Sequence, residues 1–342
     1  MNQIEDDRAM FRTCQVVEAA RSQLEVALAA PTRVKLLRFR CSARGSEAAI
    51  EKRNKYGDSM GLGDSGAALL IAAAKKQVWW SSLSSLDFAW NHLCVSALST
   101  LEHSWPSTLR SLCLDWNGIG PEGAMLLARA LARPNVLGSL DLRSNPLKDE
   151  GVLCICKALS ACPLNWLGLG ETMLTDRGAE LASKTLQGHP FLKGIDISEN
   201  SITDAACDFL AQFVQNTPRL QQLYLRGYLF EPTRISDTGG EVLARSVSCK
   251  DGFELELDYQ QVGCKTAAAL ARNSLWSKVS LFNTNVSTMG ALGLANSFRN
   301  GVALGAEQKW LNVAQCRIAP SAIKLLRSVG FLRLDSHGQR PR

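Results

Sequence analysis

The sequence predicts an α/β solenoid: a parallel sheet built one short strand at a time, each strand followed by a helix. Three observations carry this. A leucine recurs at Leu83, Leu109, Leu137, Leu164, Leu192 and Leu220, in steps of 26, 28, 27, 28 and 28 residues. Each is followed at fixed spacing by an apolar pair of alternating phase: Leu86/Phe88, Leu112/Leu114, Leu140/Leu142, Leu167/Leu169, Ile195/Ile197 and Leu223/Leu225. An asparagine then closes several copies, at Asn91, Asn117, Asn145 and Asn200. A strand with one buried face and a helix with one apolar stripe cannot bury themselves alone, so copies must stack.

The cleanest copy runs from Leu109 to Leu131. Leu109, Leu112 and Leu114 have the period of a half-buried strand, and Asn117 and Ile119 mark the turn. Gly123 opens a helix whose apolar side is Leu126, Leu127, Ala130 and Leu131. Gly151, Gly178 and Gly239 repeat the role of Gly123. A turn Asn offers both an amide donor and a carbonyl acceptor to backbone that the turn hides from water.

Taken in order, residues 1–59 are expected to form an N-terminal helical cap and a degenerate first repeat with a basic loop. Met10, Phe11, Cys14, Val17, Ala20, Leu24 and Leu28 recur at helical spacing until Pro31. Val34, Leu36, Leu37 and Phe39 suggest a strand within a basic stretch, residues 33–55. Charge runs of this kind are usually solvated loops, and the functional alternative is phosphate or nucleic-acid binding. Residues 60–334 are the repeat array, and residues 335–342 a polar tail. Gly61 to Gly66 is formally G-x-G-x-x-G, but it superimposes on the repeat: Leu62 matches Ile119, Gly66 matches Gly123, and Leu69 and Leu70 match Leu126 and Leu127. It is therefore assigned to the array and not to a dinucleotide site. Trp79 and Trp80 precede the regular copies and read as core or cap.

After Tyr228 an insertion, Phe230 to Arg234, loosens the pattern. Further copies fit at Leu255/Leu257, Val279/Leu281 and Leu311/Val313, with Gln260, Thr284 and Cys316 at the turn position. Leu332 and Leu334 begin a last edge strand.

The 342 residues are 46% hydrophobic and carry a net charge of +6, too modest to imply nucleic acid. Eleven scattered cysteines form no framework, which reads as reduced thiols in a cytoplasmic or nuclear protein. No apolar run is long enough to span a bilayer. The four histidines sit in no metal or nucleophile constellation, and Cys154 and Cys156 are assigned to the apolar helix stripe. No cofactor and no metal are implied, and the chain is read as a non-enzyme.

The units resemble the ribonuclease-inhibitor-like class of leucine-rich repeats, L-x-x-L-x-L-x-x-N-x-I-x-x-x-G-x-x-x-L; Leu109 to Leu127 fits every marked position. The resemblance implies a horseshoe with a concave parallel sheet and convex helices, and a binding scaffold. The same class occurs in NOD-like receptors and in the Ran GTPase-activating protein. A GTPase activator of that type is thus a second reading, with Arg143 and Asn145 at a strand exit, although Pro146 departs from the loop of the Ran activator.

Positions between the leucines of the strand point out from the sheet. They place Asp87, Trp90, Asp115, Trp116, Asp141, Trp166, Glu171, Asp196, Tyr224, Arg226, Glu256, Asp258, Tyr259, Phe282 and Trp310 on one face. With Glu199, Glu254, Arg143 and Lys278 added, nine acids oppose three bases, about −6 on this face. Aromatics on an acidic surface are expected to bind a basic protein or peptide.

Overall fold

A computed structural model describes residues 36–38, 62–228, 235–247, 250–272, 275–299, 309–329 and 333–335. The expected N-terminal helix, the basic loop, the insertion after Tyr228 and the tail beyond Asp335 lie outside them. The chain divides into two compact units, Met1–Leu167 and Gly168–Arg342.

In the first unit, β1 (Leu36–Arg38), β2 (Ser85–Asp87), β3 (Ser111–Cys113) and β4 (Ser139–Asp141) pair in parallel and in sequence order. The register aligns Leu37, Leu86, Leu112 and Leu140, the strand-centre leucines. Leu86, Leu112 and Leu140 are at most 1% exposed. Burying each such side chain contributes about 1.5–3 kcal/mol. The helices α1 (Gly63–Ala74), α2 (Val95–Glu102), α3 (Pro121–Leu131) and α4 (Lys148–Leu159) pack side by side in the same order. The 3-10 turn Val78–Ser82 between α1 and β2 buries Trp79 and Trp80, as expected of core residues.

Strand β5 (Trp166–Gly168) straddles the boundary between the units. The second unit continues with α5 (Asp176–Leu186), β6 (Gly194–Asp196), α6 (Asp204–Asn216), β7 (Gln222–Tyr224), α7 (Asp237–Val247), β8 (Glu254–Glu256), α8 (Cys264–Arg272), β9 (Lys278–Ser280), α9 (Thr288–Arg299), β10 (Trp310–Asn312), α10 (Pro320–Ser328) and β11 (Arg333–Asp335). Strands β6 to β11 are again parallel and sequential. Strand β11 ends on Asp335, the residue at which the polar tail was expected to begin.

The turns after β2, β3, β4 and β6 are built as the asparagines foretell. Asn145 donates through Nδ2 to the Leu114 and Leu142 carbonyls (2.8 and 3.0 Å), and its Oδ1 accepts the Ile119 N–H (3.0 Å). Asn117 does the same one repeat earlier, and Asn91, two repeats earlier, donates to the Phe88 carbonyl and accepts the Leu62 N–H. The bond from Leu62 N–H to Asn91 Oδ1 (3.1 Å) ties Leu62, within the glycine-rich segment, to the turn of the next repeat. In the second unit Asn200 bridges Leu169 and Ile197. Gln260, Thr284 and Cys316 replace it, donating to the Leu225 carbonyl (2.7 Å), the Leu281 carbonyl (2.9 Å) and the Leu281 carbonyl (3.1 Å) respectively.

Some expectations shift. The helix after Leu114 begins at Pro121, the favoured first helical position, with Gly123 in its first turn. A Cβ on Gly123 would stand 3.0 Å from Leu98 Cδ1, so the glycine admits the neighbouring helix; it does not open its own. On α4 the buried stripe is Val152, Ile155, Cys156 and Leu159, which leaves Cys154 half-buried at the flank. Spacing of three and four selects Cys156, not its neighbour two before. Leu69, matched to Leu126, is 66% exposed, whereas Leu126 is 8% exposed.

A second tie between repeats has no counterpart in the leucine pattern. Asp64 in α1 accepts the N–H groups of Cys94, Ser96 and Ala97 (2.8, 2.7 and 2.9 Å), capping α2 from the preceding helix. Asp237 in α7 does this for Gly263, Lys265 and Thr266 at α8. A carboxylate there satisfies orphan amides and complements the positive helix end.

Candidate binding face

The sheet register arranges the outward residues in rows. In the first unit, Ser85, Ser111 and Ser139 form one row, and Asp87, Cys113 and Asp141 the next. Ala89, Asp115 and Arg143 follow two residues on, then Trp90, Trp116 and Ser144 at the turn. In the second unit the first row is Gly194, Gln222, Glu254, Lys278 and Trp310, and the second Asp196, Tyr224, Glu256, Ser280 and Asn312.

The residue just before the turn position lies in the left-handed region in eight of the nine described repeats, the exception being the repeat of β7, which has Gly227 there. Trp90, Trp116, Ser144, Glu171, Glu199, Tyr259, Asn283 and Gln315 have φ between 54° and 66°. This conformation favours Gly or Asn and disfavours bulky residues. Two tryptophans and a tyrosine there are conformationally costly, and their large side chains are turned out of the core.

Trp90 and Trp116 stack with centroids 4.1 Å apart and planes 8° apart. Trp116 is 46% exposed and Trp90 half-buried. Beside them, Arg143 forms a bidentate pair with Asp141, Nε to Oδ1 at 2.9 Å and Nη2 to Oδ2 at 2.7 Å. Arg143 is thus paired with a carboxylate, and Asn145 is held by the turn. Trp166, on β5, is half-buried.

Several predicted acids are not surface charges. Asp87, Asp115 and Asp196 are 6%, 5% and 7% exposed. The strand ends at Asp87, Asp141 and Asp196, and each carboxylate accepts the backbone N–H two residues on, from Ala89, Arg143 and Ser198 (3.1, 3.2 and 3.0 Å). Asn312 does the same for Ala314. These Asx turns explain the recurrent Asp as backbone chemistry. Asp115 accepts the Cys113 thiol (3.1 Å), and burial pushes that thiol up to about 12. The expected acidity of about −6 is therefore an overcount of what a partner would meet.

In the second unit the face is a connected network. Tyr224 donates its hydroxyl to Glu254 Oε2 (3.1 Å). Arg226 lies over the Tyr259 ring at 4.9 Å and 3.4 Å from Glu199 Oε1. Tyr259 meets Phe282 edge to face at 5.2 Å. Lys278 stands over Trp310 at 5.0 Å and 3.7 Å from Glu254. Asp258 accepts the Phe282 N–H (2.7 Å). Glu171 is half-buried at its turn. Burial, then the nearby Asp258 and Asp196, push Glu256 up to about 7 despite Arg226 and Lys278. Burial likewise raises Asp258, against its bonds to Ser280 and Phe282, and raises Glu199, against Arg226.

None of the seven aromatics on the face is in the buried core. Leucine spacing had missed Thr172, which holds the turn position after Leu169 through a 2.8 Å bond to that carbonyl. The signal was present in register alone, three residues after the last strand leucine. No helix among the described residues is long and apolar enough to cross a membrane.

A family model described as Leucine Rich repeat matches residues 106–128 and 135–156. The chain is 30% identical over 161 residues to NACHT, LRR and PYD domains-containing protein 14 of Mus musculus, covering 46% of this chain and 16% of that protein. It is 27% identical over 223 residues to Ribonuclease inhibitor of Sus scrofa, covering 54% and 47%. It is 24% identical over 284 residues to NACHT, LRR and PYD domains-containing protein 5 of Homo sapiens, covering 72% and 24%. The chain spans less than half the length of each of these relatives. Parallel strands alternating with helices, a turn-residue ladder and these matches together identify a leucine-rich-repeat protein of the ribonuclease-inhibitor-like kind.

Proposed function

We propose that the chain is a non-enzymatic scaffold that binds a protein or peptide partner of basic character on its sheet face. The carrying observation is the stacked pair Trp90 and Trp116, displayed from left-handed turn positions where a smaller residue would be less strained. The left-handed turn recurs along the array, but at two successive turns it is held by a tryptophan, and a bulky ring kept at a costly position supports a binding role. Rigid aromatic side chains are the commonest interface anchors, and one can contribute about 2 kcal/mol or more. Tyr224, Tyr259, Phe282 and Trp310 supply the same chemistry in the second unit, among acids that suit a cationic partner. One relative is named for inhibiting a ribonuclease, a protein target, which agrees with a protein partner here.

The test is affinity capture from a cell lysate with wild type beside Trp90→Ala/Trp116→Ala, at low and moderate salt. A protein retained by wild type and depleted at least roughly tenfold with the variant supports the reading. Equal capture by both, or salt-sensitive nucleic acid as the only captured species, overturns it.

A further inference from the structure

The second unit's face is short of positive charge at one place. Among the described residues, Asp196, Glu199, Glu254, Glu256 and Asp258 stand beside the cations Arg226 and Lys278, with Arg333 further along the first row beyond Trp310. Both cations are spoken for, Arg226 by Glu199 and the Tyr259 ring, Lys278 by Glu254 and the Trp310 ring. Asp196 and Asp258 each accept backbone N–H groups. Glu256 sits between them, paired in register with Tyr224 on one side and Ser280 on the other. Tyr224 donates its hydroxyl to Glu254. The groups facing Glu256 are thus Asp196 from β6, Tyr224 and Arg226 from β7 and its exit, Glu254 and Asp258 from its own strand and exit, and Lys278 from β9.

We propose that this face docks a loop of a protein partner by seating one arginine or lysine side chain over Glu256, among the aromatic side chains of Tyr224, Tyr259 and Phe282. The inference rests on the protein-binding reading and names its seat in the second unit. Charge complementarity specifies the occupant: five acids stand beside Arg226 and Lys278, so a further cation is favoured there, and aromatic rings accept a guanidinium or ammonium group at their faces. Docking is coupled to one proton. In the free protein Glu256 titrates at about 7, raised by burial and then by Asp258 and Asp196. When the partner's cation arrives, the Glu256 carboxyl ionises, its proton passes to solvent, and the carboxylate pairs with the cation. The linkage makes binding weaken as pH falls below 7, because the proton competes with the cation.

The experiment titrates the full chain with a short capped arginine–glycine repeat peptide, and with its glutamate–glycine counterpart, while following ¹³C-carboxyl NMR signals of labelled glutamate. The arginine peptide is expected to bind roughly tenfold more weakly at about pH 6 than at about pH 8, and near pH 7 to shift the Glu256 carboxyl toward its ionised position. Glu256→Gln, similar in size and unable to ionise, is expected to bind weakly at both pH values, with the dependence flattened. Equal binding of the glutamate peptide overturns the proposal. So does a Glu256 signal that does not move with the arginine peptide, or a Glu256→Gln protein that matches wild type at both pH values. Protein capture that depends on Trp90 and Trp116, beside an inert arginine peptide, sinks this inference and leaves the general reading standing. An arginine-peptide response without such capture sinks the general reading at the first unit while supporting the seat at Glu256.

Discussion

Trp90 and Trp116 occupy equivalent turn positions in successive repeats, and their rings stack at 4.1 Å because the register sets one directly beside the other. Both backbones are left-handed, at φ 66° and 54°. Stacking contributes about 0.5–1.5 kcal/mol, and the backbone strain costs about as much. Trp116→Gly should therefore change unfolding free energy by less than about 1 kcal/mol while partner capture falls at least about tenfold. Urea denaturation beside a capture assay checks this; a large stability loss would make the pair a structural brace.

Asn145 is 1% exposed and serves two repeats at once, through Leu114, Leu142 and Ile119. Asn145→Ala strips a partner from one buried N–H and from two buried carbonyls. The expected loss is about 3 kcal/mol, measured by chemical denaturation, since each orphaned group costs about 1–3. A loss under about 1 kcal/mol would mean that water replaces the side chain.

Helix packing distinguishes two glycines. A Cβ on Gly239 would meet Cys207 Sγ at 2.8 Å and crowd Asp204 Oδ1, whose carboxylate is fixed by Ser236. Gly293, on the exposed flank of α9, has open space. Gly239→Ala should cost about 1–3 kcal/mol, and Gly293→Ala should stabilise by about 0.5–1. Thermal unfolding of the two variants should move in opposite directions.

Acid sensitivity follows from the interhelical caps. Burial tends to raise Asp237, but its bonds from Thr266, Lys265 and Gly263 outweigh this and hold it below the ordinary carboxylate value. A folded-state value below the unfolded one adds stability above the unfolded value near 3.9, lost as pH falls through the lower folded value. Asp237→Ala should lower stability at neutral pH and shrink the gap to wild type at the acid end. Urea midpoints taken down the acid limb test this; a gap that persists at the lowest pH would refute it.

Glu256 carries the opposite sign. Its folded value of about 7 exceeds the ordinary 4.5, so the native state binds the extra proton and stability declines as pH rises between them. Glu256→Gln should raise the melting temperature at about pH 8 and leave it near wild type at about pH 4. Melting curves for both proteins at the two pH values decide it.

The leucine spacing alone determined the parallel strand–helix order, the register and the turn ladder. One residue type per position is enough there, because each strand-centre leucine has one buried environment and a slip of one would turn it to water. It also placed the aromatic residues outward, Trp90 through Trp310. Tertiary structure decided what those outward residues do. The row of Asp87, Asp141 and Asp196 looked like surface charge, yet strands this short end at the carboxylate, which folds back on the next free N–H. The bond from Asp64 to α2, and that from Asp237 to α8, join residues about thirty positions apart whose meeting depends on how closely helices approach. The raised Glu256 likewise depends first on burial, then on Asp258 and on Asp196, the last of which lies two strands away and is distant in sequence. Periodicity reports which face a side chain takes; its charge state and partners depend on neighbours that only packing brings together.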